Sequence, residues 1–137
     1  MVSYEWRGSF RNDEVSALHA EGFGHAPDED DWLTQVGRHS LGWVCARESG
    51  RLDGFVNVAW DGGEHAFILD TMVSAAAQHR GIGTRLVDVA TQNARAAGCT
   101  WLHVDFEAEL GPFYLDQCGF RPTAAGVIAL GGPAGPS

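Results

Sequence analysis

The stretch that decides the fold is residues 73–86, VSAAAQHRGIGTRL. An apolar strand ends there in a short polar loop, and two glycines separated by one residue then open an amphipathic helix. Glycines at such a turn let a ligand approach the main chain, and the N–H groups of the first helical turn point outward at the positive end of the helix dipole. The stretch therefore predicts a turn that binds phosphate or diphosphate through the backbone. Taken alone, it also fits an ordinary strand-to-helix connection.

Composition narrows the class of protein and of partner. The chain has 137 residues, 45% of them hydrophobic and 20% charged, which predicts one globular domain. Its net charge is −9 and every basic residue is arginine, so nonspecific binding to nucleic acid or to an anionic membrane is not expected. The three cysteines and six histidines lack metal-ligand spacing, which predicts reduced thiols and no metal. The first residues do not resemble a signal peptide, and we expect a cytoplasmic location.

The elements around this stretch predict an α+β fold. A first helix is expected to begin after an N-cap at Asn12–Asp13. Its pattern continues to Phe23, whose side chain is expected to face inward. A second helix is expected to start in the acidic run at residues 28–31. A third helix runs to Gly98, and a fourth is short. The predicted strands are residues 4–10, 41–48, 52–60, 65–73, 101–105 and 124–130. We expect a single domain over residues 1–130 and a flexible tail over 131–137.

Two motifs carry a resemblance to a known family. Residues 78–83, QHRGIG, fit the pattern Q/R-x-x-G-x-G/A, and residues 113–120, FYLDQCGF, resemble a later signature of an aromatic pair followed by Gly-Phe. Together they resemble the GCN5-related N-acetyltransferase (GNAT) superfamily, with matching order and spacing from about Tyr4 to Leu130. The resemblance implies an acyl-CoA N-acyltransferase fold with a mixed, mostly antiparallel twisted sheet flanked by helices.

The resemblance also implies acetyl-CoA as the co-substrate. The pantetheine arm is expected to pair with the fourth strand, and the diphosphate to rest on the amides of the glycine loop, assisted by arginine. A main-chain N–H near the strand would polarise the thioester carbonyl. The expected cofactor-binding residues are Thr71, Met72, Val73, Gln78, His79, Arg80, Gly81, Ile82, Gly83, Thr84 and Arg85.

For catalysis, the resemblance assigns Tyr114 as the general acid that protonates the departing thiolate. Packing of the short helix is its alternative role. The general base is less defined, because Phe67 stands where some family members carry a glutamate. Asp70, beside a presumed bulge, is the nearest carboxylate to the reacting centre. It is expected to act as the base, or else to cap the backbone, form a salt bridge or contact the amine.

The acceptor side of the site is the least specified. Glu107 stands where many relatives carry an asparagine, and it is expected to pair with a cationic amine. Phe23 and Trp32 are expected to shape the acceptor pocket, with core packing as the alternative. The sequence thus predicts an acetyltransferase acting on a small-molecule or protein amine, with dimerisation possible by analogy. A CoA-binding sensor or non-catalytic module is the alternative, and a toxin that acetylates charged tRNA is disfavoured because it needs a basic groove.

Overall fold

The computed structural model describes residues 1–27 and 29–131. The chain divides after Val104, so the described residues belong to two compact units, the first from Met1 to Val104 and the second from Asp105 onward. Each unit is described by itself. The single domain over residues 1–130 stays a prediction, and residues 132–137 of the expected tail lie outside the described residues. Among the described residues, no helix combines the length and the apolar character that crossing a membrane requires.

The first unit is built on a mixed sheet. Its strands are β1 (Ser3–Trp6), β2 (Ser40–Glu48), β3 (Arg51–Trp60), β4 (His65–Val73) and β5 (Trp101–Val104). Its helices are α1 (Asn12–Phe23), α2 (Trp32–His39) and α3 (Ile82–Ala96), and a 3-10 turn spans Ala75–Ala77. The strands lie in the order β1-β2-β3-β4-β5, antiparallel up to β4 and parallel between β4 and β5. The predicted α+β class is confirmed.

Helix α3 packs unusually close to the sheet because β3 carries a glycine beneath it. A Cβ on Gly54 would lie 2.9 Å from Leu86 Cδ1 and 3.1 Å from Ile82 Cγ2, both closer than ordinary contacts allow. Helical spacing places the apolar face of α3 against the strands. This packing fixes the position of the first turn of α3, where the predicted anion site lies. The buried residues of α3 are Ile82, Leu86, Val87, Ala90 and Ala94.

The starts of α1 and α2 differ from the prediction. Arg11, and not Asn12, is the N-cap of α1, and its main-chain N–H donates to the Glu14 carboxylate at 2.9 Å. Asn12 instead serves the second helix, because its Oδ1 accepts from Leu33 N at 2.8 Å. Asp31 caps α2, which begins at Trp32, so the acidic run precedes this helix. Asp28 of that run lies outside the described residues.

One predicted strand ends earlier than expected, and another is absent from the described residues. The first strand ends at Trp6 because Arg7 takes a φ of 57°, a left-handed conformation that ends extended pairing. In the second unit, which holds a 3-10 turn (Ala108–Leu110) and a π-helix (Pro112–Gln117), residues 124–130 form no strand. An apolar run becomes a strand only where a neighbour takes up its N–H and C=O groups, and the described sheet consists of β1 to β5. Val127, Ile128 and Leu130 are exposed instead.

Candidate active site

A β-bulge interrupts β4 at its centre. Phe55 pairs with Met72 and Asn57 with Leu69, so β4 has one more residue than β3 between these pairs. The extra residue falls at Asp70–Thr71, and Asp70 has a φ of 55°. The presumed bulge is therefore present. Bulges turn a side chain away from the regular alternation and are common beside active sites.

Beyond the bulge, one edge of β4 is unpaired within the described sheet. Pairing with β5 ends at Ile68 and Val104, whereas β4 continues to Val73. Residues 69–73 therefore have no strand partner on that side within the described sheet. The Thr71 hydroxyl is buried there and, among the described residues, has no hydrogen-bond partner. An extended ligand that carries amides fits such an edge, because it can continue the sheet.

Polar contacts to β3 and α1 fix the chain as it leaves β4. Ser74 N donates to the Asp53 carbonyl at 2.8 Å, and Ser74 Oγ donates to the Asp53 carboxylate at 3.2 Å. Asp53 is fully buried and forms an ion pair with Arg51 at 2.7 Å. Ala75 N donates to the carboxylate of Glu21, which projects from α1. The direction of the following turn is thus fixed from both β3 and α1.

The turn itself has the backbone of an anion-binding loop. His79 has a φ of 63° and Gly81 a φ of 81°, and a Cβ added at Gly81 would meet nothing within 4 Å. Helix α3 begins at the next residue, so the amides of Ile82 and Gly83 lie in its first turn, which has no intrahelical acceptors. Gln78 donates through Nε2 to the Val73 carbonyl at 3.4 Å and closes the loop onto the strand. Phosphate binding at this turn stays a prediction, with the first amides of α3 as its expected donors.

The two arginines of the turn are already paired with acids. Arg80 donates to both carboxylate oxygens of Glu48, at 2.9 and 3.1 Å. Arg85 lies 3.1 Å from the Asp88 carboxylate, and its guanidinium is 5.7 Å from the centroid of the Tyr4 ring. Both arginine side chains remain about half exposed, and surface pairs of this kind are weak. The expected contacts of Arg80 and Arg85 with the cofactor stay predictions.

Asp70 occupies a buried polar pocket inside the bulge. Its residue is 8% exposed, the Asn57 amide donates to its carboxylate, and His19 Nε2 lies 3.8 Å from Oδ1. Asn57 is held in turn by Ser40, whose hydroxyl donates to the amide oxygen. Burial raises the pKa of Asp70 above its usual range, and His19 and Asn57 offset only part of this effect. The carboxylate is therefore a stronger base than one in water.

Phe23 and Trp32, two of the predicted acceptor residues, contact the ring of His19, which faces Asp70. The His19 ring centroid is 4.5 Å from that of Phe23 and 5.3 Å from that of Trp32. Trp32 is buried and donates through Nε1 to Ser16 Oγ at 3.1 Å, whereas Phe23 is 40% exposed, against the expectation that it faces inward. Sequence reasoning did not select His19. Its spacing is the available signal, because it lies four residues from both Val15 and Phe23 on one helical stripe.

The second unit holds the other predicted residues. The Tyr114 ring is buried against three aromatic rings of its own unit, with centroid distances of 5.0 Å to Phe106, 4.8 Å to Phe113 and 6.0 Å to Phe120. The ring orientation is therefore set by packing. Glu107 is exposed, and its carbonyl accepts from Leu110 N at 2.9 Å at the start of the 3-10 turn.

The cysteines are poor nucleophiles. All three are free thiols, and burial raises the pKa of Cys45 to about 12 and that of Cys118 to about 11. Burial also raises the pKa of Cys99. Because the thiolate is the reactive form, these positions do not favour a covalent acyl-enzyme.

With this geometry in place, comparison with known proteins decides the family. Residues 5–120 match the Acetyltransferase (GNAT) family. The chain belongs to this family. It is 39% identical over 59 residues to the probable glucosamine 6-phosphate N-acetyltransferase 2 of Oryza sativa subsp. japonica, a match that covers 43% of this chain and 35% of that protein. The chain thus spans about a third of the length of that curated relative.

Solved structures of this family share the fold. A protein of unknown function and probable acetyltransferase from methicillin-resistant Staphylococcus aureus gives a TM-score of 0.78 at 19% identity, covering 95% of this chain and 98% of that one. The aminoglycoside N-acetyltransferase AAC(6')-Iy, solved in complex with CoA, gives a TM-score of 0.74 at 15% identity, covering 94% and 93% of the two chains. At these identities the likeness establishes the fold alone.

Proposed function

We propose that this chain is an N-acetyltransferase that transfers acetyl from acetyl-CoA to a primary amine by direct attack in a ternary complex. This proposal rests on the unpaired edge of β4 at residues 69–73, which leads directly into the glycine turn and the first turn of α3. Family membership supports it, as do the names of the rice relative and of the CoA-bound aminoglycoside acetyltransferase.

The residues present fit acetyl-CoA. Amides between His79 and Thr84 would hold the diphosphate, and the main chain of Thr71, Met72 and Val73 would pair with the pantetheine arm. Acetyl-CoA supplies an activated thioester whose carbonyl carbon accepts the amine.

Two side chains, Asp70 and Tyr114, would carry out the two proton transfers of the reaction. An amine acceptor arrives as an ammonium and must lose a proton before it attacks, and Asp70 takes that proton. A main-chain N–H of residues 71–73 stabilises the negative charge that develops on the carbonyl oxygen. Tyr114 then donates its phenolic proton to the CoA thiolate as the carbon–sulfur bond breaks. The cysteines, which remain thiols, take no part, in keeping with direct transfer.

For the acceptor we propose a cationic amine. The chain carries a net charge of −9, and Glu107 is an exposed carboxylate. Phe23 and Trp32 line the same side of α1 and α2 as His19 and offer an apolar wall. The three free thiols suit a reducing compartment, and we place the protein in the cytoplasm. A homodimer is compatible with this proposal.

A CoA-binding module without catalysis is the second candidate. Phe67, at the position where some family members carry a glutamate, favours it. The two candidates differ in a direct experiment. Calorimetry with CoA should give saturable binding in both cases, whereas release of free thiol from acetyl-CoA in the presence of glucosamine 6-phosphate, kanamycin or spermidine occurs only if the chain is an enzyme. Absence of CoA binding refutes both.

A further inference from the structure

Two histidines, His19 and His25, lie between Asp70 and the protein surface. His19 Nε2 faces the Asp70 carboxylate at 3.8 Å, and His19 Nδ1 lies 2.6 Å from His25 Nε2. His25 Nδ1 lies 2.7 Å from the Ala26 carbonyl oxygen, and His25 is exposed. A line of titratable groups therefore runs from the buried carboxylate, through the half-buried His19, to solvent.

The ends of this line determine the proton positions within it. The Ala26 carbonyl only accepts, so His25 Nδ1 must carry a hydrogen. In neutral His25 the Nε2 atom is then an acceptor, which requires the hydrogen of His19 to sit on Nδ1. His19 Nε2 is left with a lone pair directed at Asp70. In this neutral form His19 makes no hydrogen bond to the ionised carboxylate, and it lowers the pKa of Asp70 only after Nε2 has taken up a proton. The vacant Nε2 position is the one that receives a proton from the Asp70 side.

We propose that His19 and His25 form the proton-exit path of Asp70, with His19 relaying the proton of the carboxylic acid. This inference rests on the proposed acetyl transfer. Among the described residues, the titratable groups facing His19 are Asp70 from β4 and His25 from the loop after α1, while the rings of Phe23 and Trp32 shield its sides.

The protons balance along this path. Asp70 takes a proton from the ammonium and becomes a carboxylic acid. Its O–H passes that proton to His19 Nε2 once the 3.8 Å separation between Nε2 and Oδ1 closes to hydrogen-bond distance. His19 releases the hydrogen on Nδ1 to His25 Nε2, and His25 becomes an imidazolium at the surface. Water takes the excess proton, and ring reorientation restores the first tautomers. Histidine suits this task because its charge changes near neutral pH.

A purely structural role for His19, as a ring packed between Phe23 and Trp32, makes different predictions. Glutamine preserves hydrogen bonding but cannot relay a proton, so His25→Gln separates the two roles at an exposed position where folding is not at stake. His19→Gln tests the inner position. His39→Gln is the matched control, because His39 is an exposed histidine at the end of α2.

The assay measures kcat between pH 6 and 9 with whichever amine of the panel supports turnover. We expect His25→Gln to lower kcat about tenfold, to keep the KM for acetyl-CoA within about twofold, and to recover activity when imidazole is added. His39→Gln should match the wild type. Long-range nitrogen NMR of the histidine rings at pH 8 should find the hydrogen on Nδ1 of both His19 and His25, a readout independent of turnover.

Two results overturn the relay. One is a wild-type pH profile and kcat in His25→Gln, and the other is loss of activity that imidazole does not restore. If the wild type binds CoA but acetylates no amine, the proposed function fails, and the NMR tautomers alone then decide whether the histidine pair has the inferred arrangement.

Discussion

Replacing Gly81 by alanine tests the anion-binding turn most directly. Gly81 has a φ of 81°, and a Cβ there would meet nothing within 4 Å, so the change introduces backbone strain without a clash. Strain of about 1–2 kcal/mol for an L-residue in this conformation is reduced by about 0.4–1 kcal/mol through the stiffer unfolded chain. The net loss is about 0–1.6 kcal/mol, which lowers Tm by at most roughly 6 °C.

Gly62, in the turn between β3 and β4, is the matched control. Its φ is 80° and a Cβ there also meets nothing within 4 Å, so Gly62→Ala should lose the same stability. Only Gly81→Ala places a methyl group where the diphosphate is proposed to bind. We expect calorimetry to give at least a tenfold higher Kd for CoA in Gly81→Ala, about 1.4 kcal/mol, and a wild-type Kd in Gly62→Ala. Equal Kd values in the two variants would refute the reasoning.

Three further predictions follow from the same structure. Tyr114→Phe keeps the aromatic packing and should lower kcat at least tenfold with an unchanged Kd for CoA. Tyr4→Phe, at the other tyrosine of the chain, is the control and should leave kcat unchanged. Equal turnover in the two variants would remove Tyr114 from the mechanism. Asp70→Asn should abolish the rise of kcat/KM with pH. Because burial raises the pKa of Asp70, the stability its carboxyl contributes is present at low pH and lost as pH rises through that pKa, so the Tm of Asp70→Asn relative to wild type should increase with pH; a pH-independent difference contradicts this. Arg47 lowers the pKa of Glu14 from 4.5 to about 2, so Glu14→Gln should cost about 1–3 kcal/mol at pH 7. That cost should shrink as pH falls from about 4.5 to about 2 in thermal melts, and a constant cost would refute the assignment.

Much of the fold was predictable because local patterns decided it. The strand at His65–Val73 has the predicted limits, and Gly98, with a φ of 95°, ends the third helix as expected. The absence of a strand at residues 124–130 was not predictable, since a run of apolar residues does not show whether a neighbouring strand exists. Asn12 illustrates the same limit, because its side chain was expected to cap its own helix and instead serves the next one.

The same limit applies to the candidate site, where local features were predictable and long-range contacts were not. The glycine turn and the bulge beside Asp70 follow from residues adjacent in sequence, whether read directly or through the family resemblance. The contact of His19 with Asp70 joins residues 51 positions apart in the chain (70 − 19). No spacing rule within a helix or strand predicts it. The roles of Tyr114 and Glu107 stay predictions.

The free edge of β4 has a consequence for how such a protein tolerates mutation. Main-chain groups, which every amino acid carries, would bind the co-substrate there, so the side chains at these positions would be constrained by packing and not by recognition. Substitutions that preserve the packing should therefore leave the affinity for the co-substrate unchanged. Selectivity for the acceptor would then depend on other residues, those that surround the amine.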